Sequence, residues 1–196
     1  QIPSWLPTGA RFSGVGAISA PLWAPLHTAA HDSGAKVIAY DRLVKNTDAV
    51  DYYVAYDNFK VGELQGNALL EGMAKKKANG PYNIELFAGS PDDANAKVFF
   101  DGAMSVLQPK IDDGTLKVVS GQVKFEQAVT QGWKAENAQK RMDTLLSANY
   151  DGGTTLDGVL SPNDTLARAI LTSVKAAGLD LPVVTTLMAR GAFPDD

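Results

Sequence analysis

From about residue 35, short apolar runs rich in β-branched and aromatic residues alternate with longer stretches whose apolar residues recur about every three to four positions. The runs Lys36–Tyr40, Tyr52–Tyr56, Asn83–Ala88, Leu116–Ser120, Gly158–Leu160 and Pro182–Thr185 read as strands. Helices are predicted between them at about Asn58–Lys77, Ala94–Leu107, Lys134–Ala148 and Asp164–Ala177. The first rests on the spacing of Phe59, Val61, Leu64, Ala68 and Met73. Gly80-Pro81, Asp113-Gly114, Asp151-Gly152-Gly153 and Gly178 punctuate the pattern. Such alternation implies an α/β fold, a largely parallel sheet with helices on both faces.

In sheets of this kind ligands bind beyond the carboxyl ends of the strands, so the loops there are read together. Asp41-Arg42 follows one strand; Ser90-Pro91-Asp92-Asp93-Ala94-Asn95 and Ser161-Pro162-Asn163-Asp164 follow two others with a shared Ser-Pro-polar-polar spelling. Trp133 stands just before a helix. Each residue has a plain structural reading. Ser90 can N-cap the helix with Pro91 in its first turn, and Asp92 and Asp93 then sit where the helix dipole favours negative charge. Asn163 and Asp164 can cap the next helix, Arg42 can be a solvated charge, and Trp133 can staple a helix start into the core. Read as a site, the same residues give a planar guanidinium, carboxylates, amides and an aromatic plate. Those are the groups a small polyhydroxylated ring demands on its edges and faces.

Composition narrows the partners. The 196-residue chain is 45% hydrophobic, long enough for a real core. Its net charge of −4, with Lys75-Lys76-Lys77 as the one basic run, argues against nucleic acid; the run reads as the solvated last turn of a helix. There is no cysteine, which excludes disulfides, thiolate metal ligands and thiol nucleophiles. His27 and His31 have the spacing of a metal pair without a third ligand and read as surface residues. No phosphate loop, serine elbow or metal motif appears, so no cofactor or metal is expected and an enzyme has little support. No apolar run approaches the roughly 20 residues of a membrane span, and Gln1 opens no signal peptide; an export signal would lie upstream.

At VIAYDR, YDNFKVGELQ, NIELFAGSPDDANA, DGAMSVLQPKIDDG and VLSPND, over about residues 30 to 185, the chain resembles the periplasmic sugar-binding receptors of ABC transporters, in particular their multiple-sugar and D-xylose-binding branches. The resemblance implies a two-lobed, hinged, Rossmann-like protein that clamps an aldose (xylose, galactose, glucose or arabinose) between its lobes. It would work in the periplasm, serving a permease in the inner membrane and, as further partners, a sensor kinase or chemoreceptor. By the same resemblance 1–48 would be a remnant of the first lobe, 49–185 the second lobe, with a hinge near 53–57, and 186–196 an aberrant tail. Arg42 would donate to sugar hydroxyls from the first lobe, Asp93, Asn95 and Asn163 would grip the ring from the second, and Trp133 would stack on a sugar face.

Departures from the family shape a second expectation. Members begin before Gln1 and continue past Asp196, and they follow the last strand with a sugar-binding Gly-Gln-Asp segment where this chain has Thr186-Leu187-Met188-Ala189-Arg190. Before His31 the chain is proline-broken and lacks a clear period, so 1–30 reads as aberrant. Ala10-Arg11-Phe12-Ser13 can be encoded by bases that read Lys-Val-Leu in another frame, Ala20–Pro25 by bases that read Gly-Thr-Thr-Leu-Gly-Ala, and Gly191-Ala192-Phe193 by bases that read Glu-Val-Pro-Ser. The expectation is a truncated, partly frameshifted chain that binds sugar weakly or not at all. The alternative is the sugar-responsive effector domain of a LacI-type transcription regulator, which would need a basic helix-turn-helix ahead of it.

Overall fold

The computed structural model describes residues 12–15, 20–44 and 46–181. The chain divides into two compact units, a smaller one of Gln1–Asn58 with Asp92–Asn95 and a larger one of Phe59–Pro91 with Ala96–Asp196.

The smaller unit holds β1 (Phe12–Val15), α1 (Ala20–Asp32), β2 (Lys36–Tyr40) and β3 (Tyr52–Val54). The strands form a parallel sheet in the order β1-β2-β3, with Gly14 opposite Ile38 and Ile38 opposite Tyr52. A strand and a helix therefore occupy the stretch before His31 where the sequence pattern shows neither. Pro21 falls in the first turn of α1, where its missing N–H costs nothing, and Pro25 removes one hydrogen bond from a helix of 13 residues. Asp51 ties the start of β2 to the approach to β3, accepting from the Val37 amide at 2.9 Å and from Lys36 Nζ at 2.6 Å. Among the described residues, the buried apolar side chains of this unit are Ala30, Ala35, Val37, Ala39, Val44 and Ala49, while Tyr40, Tyr52, Tyr53, Val54 and Tyr56 are exposed.

The larger unit contains α2 (Asn58–Lys76, whose first residue belongs to the smaller unit), β4 (Tyr82–Leu86), α3 (Ala94–Asp112), β5 (Leu116–Val118), α4 (Phe125–Ala128), a 3-10 turn (Gln131–Trp133), α5 (Ala135–Asn149), β6 (Gly158–Leu160) and α6 (Asp164–Ala176). Its sheet is parallel in the order β5-β4-β6. Because successive side chains of a strand point to opposite faces, central β4 feeds two cores. Tyr82, Ile84, Leu86 and Ala88 pack with Met73 of α2 and Phe100, Ala103 and Leu107 of α3. Phe87 packs with Met142 and Leu145 of α5 and Leu166, Ile170 and Val174 of α6. Helices thus cover both faces, as the strand–helix alternation implied.

Two glycines let α2 and α3 approach closely. A Cβ on Gly62 would overlap the Phe99 carbonyl, and one on Gly102 would overlap the Phe59 carbonyl. The interior also takes in a carboxylate. Glu85 is fully buried, accepting from the Ser120 amide at 3.0 Å, Ser120 Oγ at 2.6 Å and the Tyr150 hydroxyl at 2.9 Å. Burial, followed by the Glu85 charge, drives the Tyr150 hydroxyl pKa far up, so it stays a donor.

The sequence-predicted boundaries of β2 and β6 are met, and α2, α5 and α6 end within a residue of expectation. Helix α3 runs past the expected stop at Leu107 to Asp112, carrying Pro109 inside it. The Ser90 start is corrected. The helix begins at Ala94, and Asp93 fills the N-cap position, its Oδ1 accepting from the Asn95 amide at 2.9 Å. Lys75 and Lys76 form the solvated last turn of α2. The strand expected at Pro182–Thr185 and the tail at 186–196 lie outside the described residues.

Candidate functional site

In the smaller unit, the chain leaves β2 through Asp41, held in the left-handed region at φ 67°, which an aspartate tolerates better than most residues. The Asp41 amide donates to the Val54 carbonyl at 2.8 Å, which pins this turn to β3. The turn sends Arg42 to Asp93, Nε to Oδ2 at 2.8 Å; the arginine side chain is 24% exposed and the aspartate 3%. One Asp93 oxygen thus caps α3 while the other holds the guanidinium. Asn95, also buried, donates from Nδ2 to the Asp41 carbonyl at 2.9 Å. Its Oδ1 accepts from Asn58 Nδ2 at 2.9 Å and from the Tyr53 hydroxyl at 3.2 Å. Burial of its hydroxyl end raises the Tyr53 pKa, opposed by the hydrogen bond from Asn58 and reinforced by the charges of Asp41 and Asp93, so Tyr53 remains a phenol.

Three of the five predicted residues, Arg42, Asp93 and Asn95, are therefore one hydrogen-bonded group. Such a group offers a charged fork, a carboxylate and an amide at fixed spacing, and bonds to charged partners are worth roughly 1.5 to 3 kcal/mol each. Asp41, Tyr53 and Asn58 belong to the same network. Sequence reading placed them in a loop, a crossing segment and a helix start, and only their pairing over 37 to 54 positions reveals them.

The other two predicted residues lie in the larger unit. Trp133 is half-buried against the Phe87 core and covers Gly89, where any Cβ would overlap its ring. Gly132 and Trp133 are both left-handed, at φ 66° and 55°, costly for an aromatic residue. The loop is strapped down by Ser90 Oγ, which accepts from the Gly132 amide at 2.8 Å, and by the Thr130 amide, which donates to the Gly89 carbonyl at 3.1 Å. Ser90, read as a helix cap, is instead the clamp on the Trp133 loop. Asn163 does cap its helix, accepting from the Leu166 amide at 2.9 Å, with its amide nitrogen left over as a donor.

His27 corrects the surface reading given to it. It is 1% exposed, neither ring nitrogen has a partner, and burial lowers its pKa; His31 is exposed as expected. No group of three or more metal-ligating side chains occurs among the described residues. No helix among them is long and apolar enough to cross a membrane. An open groove of about 290 Å³ on the larger unit, lined by Gln122, Asn137, Lys140, Arg141, Thr144 and Leu145, includes none of the predicted residues.

Comparison with known proteins extends these observations. A family profile described as "Periplasmic binding protein domain" matches residues 14–193. The multiple sugar-binding periplasmic receptor ChvE of Rhizobium radiobacter is 48% identical over 190 residues, covering 94% of this chain and 53% of the receptor. The D-xylose-binding periplasmic protein of Escherichia coli (strain K12) is 40% identical over 150 residues, covering 76% of this chain and 41% of that protein. Among solved structures, an ABC transporter solute binding protein from Clostridium phytofermentans with bound β-D-glucose superposes with a TM-score of 0.81 at 40% identity, covering 92% of this chain and 55% of its own. The chain thus spans about half the length of the relatives it matches.

Proposed function

Because the chain belongs to the periplasmic binding protein domain family, we propose that it is the substrate-binding part of a sugar ABC transporter. It takes aldose monosaccharides of the xylose, galactose, glucose and arabinose class in the periplasm and passes them to an inner-membrane permease. A sensor kinase or chemoreceptor is a second class of partner. It binds without catalysing.

The observation that carries this reading is the Arg42–Asp93–Asn95 group. A ring hydroxyl can donate to the Asp93 carboxylate while accepting from the Arg42 guanidinium or the Asn95 amide, so one hydroxyl satisfies two planar partners. The larger unit, taken by itself, offers an apolar plate for ring C–H groups in Trp133 and an amide donor in Asn163. The relatives described above are named as binding proteins or receptors, which does not favour the effector domain of a transcription regulator.

Saturation-transfer NMR of the folded chain with D-xylose, D-glucose, D-galactose and L-arabinose tests the proposal, because it detects even millimolar affinity, about −4 kcal/mol. Transfer to at least one sugar is expected, weakened by Trp133→Ala. A chain with dispersed, folded spectra that transfers nothing to any of the four would overturn it.

A further inference from the structure

We propose that Asn58 and Tyr53 are positioning residues that lock the Asn95 amide in one orientation, so that this point of the site meets a ligand with a donor N–H and takes only hydrogen-bond acceptors. The ligand's being a sugar rests on the function proposed above; the orientation of the amide does not.

The argument is an inventory of donors and acceptors. A side-chain amide has two N–H donors and two oxygen lone pairs. Asn95 Oδ1 accepts from Asn58 Nδ2 at 2.9 Å, and its second lone pair faces the Tyr53 hydroxyl at 3.2 Å, whose single proton is shared with the Asp41 carbonyl at 3.3 Å. One N–H goes to the Asp41 carbonyl at 2.9 Å. What remains is a single N–H. Turning the amide over would set its oxygen against the Asp41 carbonyl and its nitrogen against the Asn58 nitrogen, two repulsive pairs in place of two bonds. The Asp41 carbonyl cannot yield, because a backbone oxygen only accepts and the Asp41 amide is fixed to Val54. The polarity therefore runs from a backbone carbonyl through Asn95 to Asn58, and a ligand oxygen facing Asn95 must be an acceptor.

The test follows the Asn95 side-chain amide by NMR in chain labelled with ¹⁵N-asparagine. In the parent, one of its two protons is protected by the Asp41 carbonyl. Asn58→Asp replaces the donor by an acceptor and is expected to turn the amide over, speeding exchange of that proton by about tenfold; Tyr53→Phe, which leaves Asn58 in place, is expected to speed it about threefold. Should Asn58→Asp fail to fold, Asn58→Ala removes the donor without adding charge and is expected to show an intermediate loss. A folded variant at position 58 with parental exchange at Asn95 would overturn the proposal. In the ligand arm, deoxy sugars lacking the contacted oxygen are expected to lose saturation transfer, and their methyl ethers, which keep an acceptor, to retain it. Transfer that survives deoxygenation at every ring position would overturn the acceptor rule. If the parent transfers to no sugar while the Asn95 exchange behaves as described, the sugar reading fails and the amide lock stands.

Discussion

The two units solve the problem of internal polarity in opposite ways. The larger one buries Glu85 on the Phe87 side of β4, where the carboxylate accepts from Ser120 and Tyr150 and the Arg141 guanidinium over the Phe87 ring acts on it without a direct ion pair. The smaller one, among its described residues, buries nothing apolar larger than valine, leaves its tyrosines outside, and places a direct Arg42–Asp93 ion pair at the candidate site. Burial of an alanine or valine removes little apolar area from water, at roughly 25 cal/mol per Å². In the larger unit polar groups are guests of a hydrophobic core; among the described residues of the smaller one they are a principal support. The residues proposed to bind ligand there are also the ones that hold the unit in shape.

Asp93→Ala tests that contrast most severely. It strips a helix cap and strands a largely buried guanidinium, and about 3 kcal/mol of destabilisation is expected. Residue-resolved hydrogen exchange should show the loss in the smaller unit and the first turn of α3; an equal loss through the rest of the larger unit would erase the distinction. Asn163→Ala is the matched control, a cap of the same kind without an ion pair, and should cost about 1 kcal/mol in the larger unit. The smallest effect concerns acid. Burial lowers the His27 pKa below its usual 6.5, so as pH falls through that value the unfolded chain takes up a proton that the folded unit refuses. Stability of the smaller unit should decline from there downward, and His27→Leu should abolish the decline. Both histidines lie in that unit, so a similar decline over this pH range in the larger one would contradict the assignment.

Much of this was readable before any coordinates. Strands β2 and β6 stood out because each is a short apolar run between breakers, and α2, α5 and α6 because their apolar spacing is unbroken, whereas the four-residue α4 is too short to show a period. Arg42, Asp93 and Asn95 were visible because polar residues collected just after predicted strands. Helix α1 was hidden by Pro21 and Pro25, which a local rule counts as breaks although a 13-residue helix accommodates them. Ser90 was misassigned because a serine before a proline suits a cap, and only the fold brings Gly132 to it. His27 was misjudged since four-residue spacing does not say which side of a helix faces inward. Tyr53 and Asn58 had no signal at all, as their partner lies 42 and 37 residues away.

The small apolar side chains buried among the described residues of the smaller unit also bear on how it would announce its own melting. Unfolding of those described residues uncovers little fresh hydrocarbon, so their share of the heat-capacity increment and of the urea sensitivity should be low. A calorimetric scan would then be dominated by the larger unit, with the smaller one dissolving in a broad, shallow shoulder that a ligand gripped by Arg42 and Asp93 would sharpen and move upward.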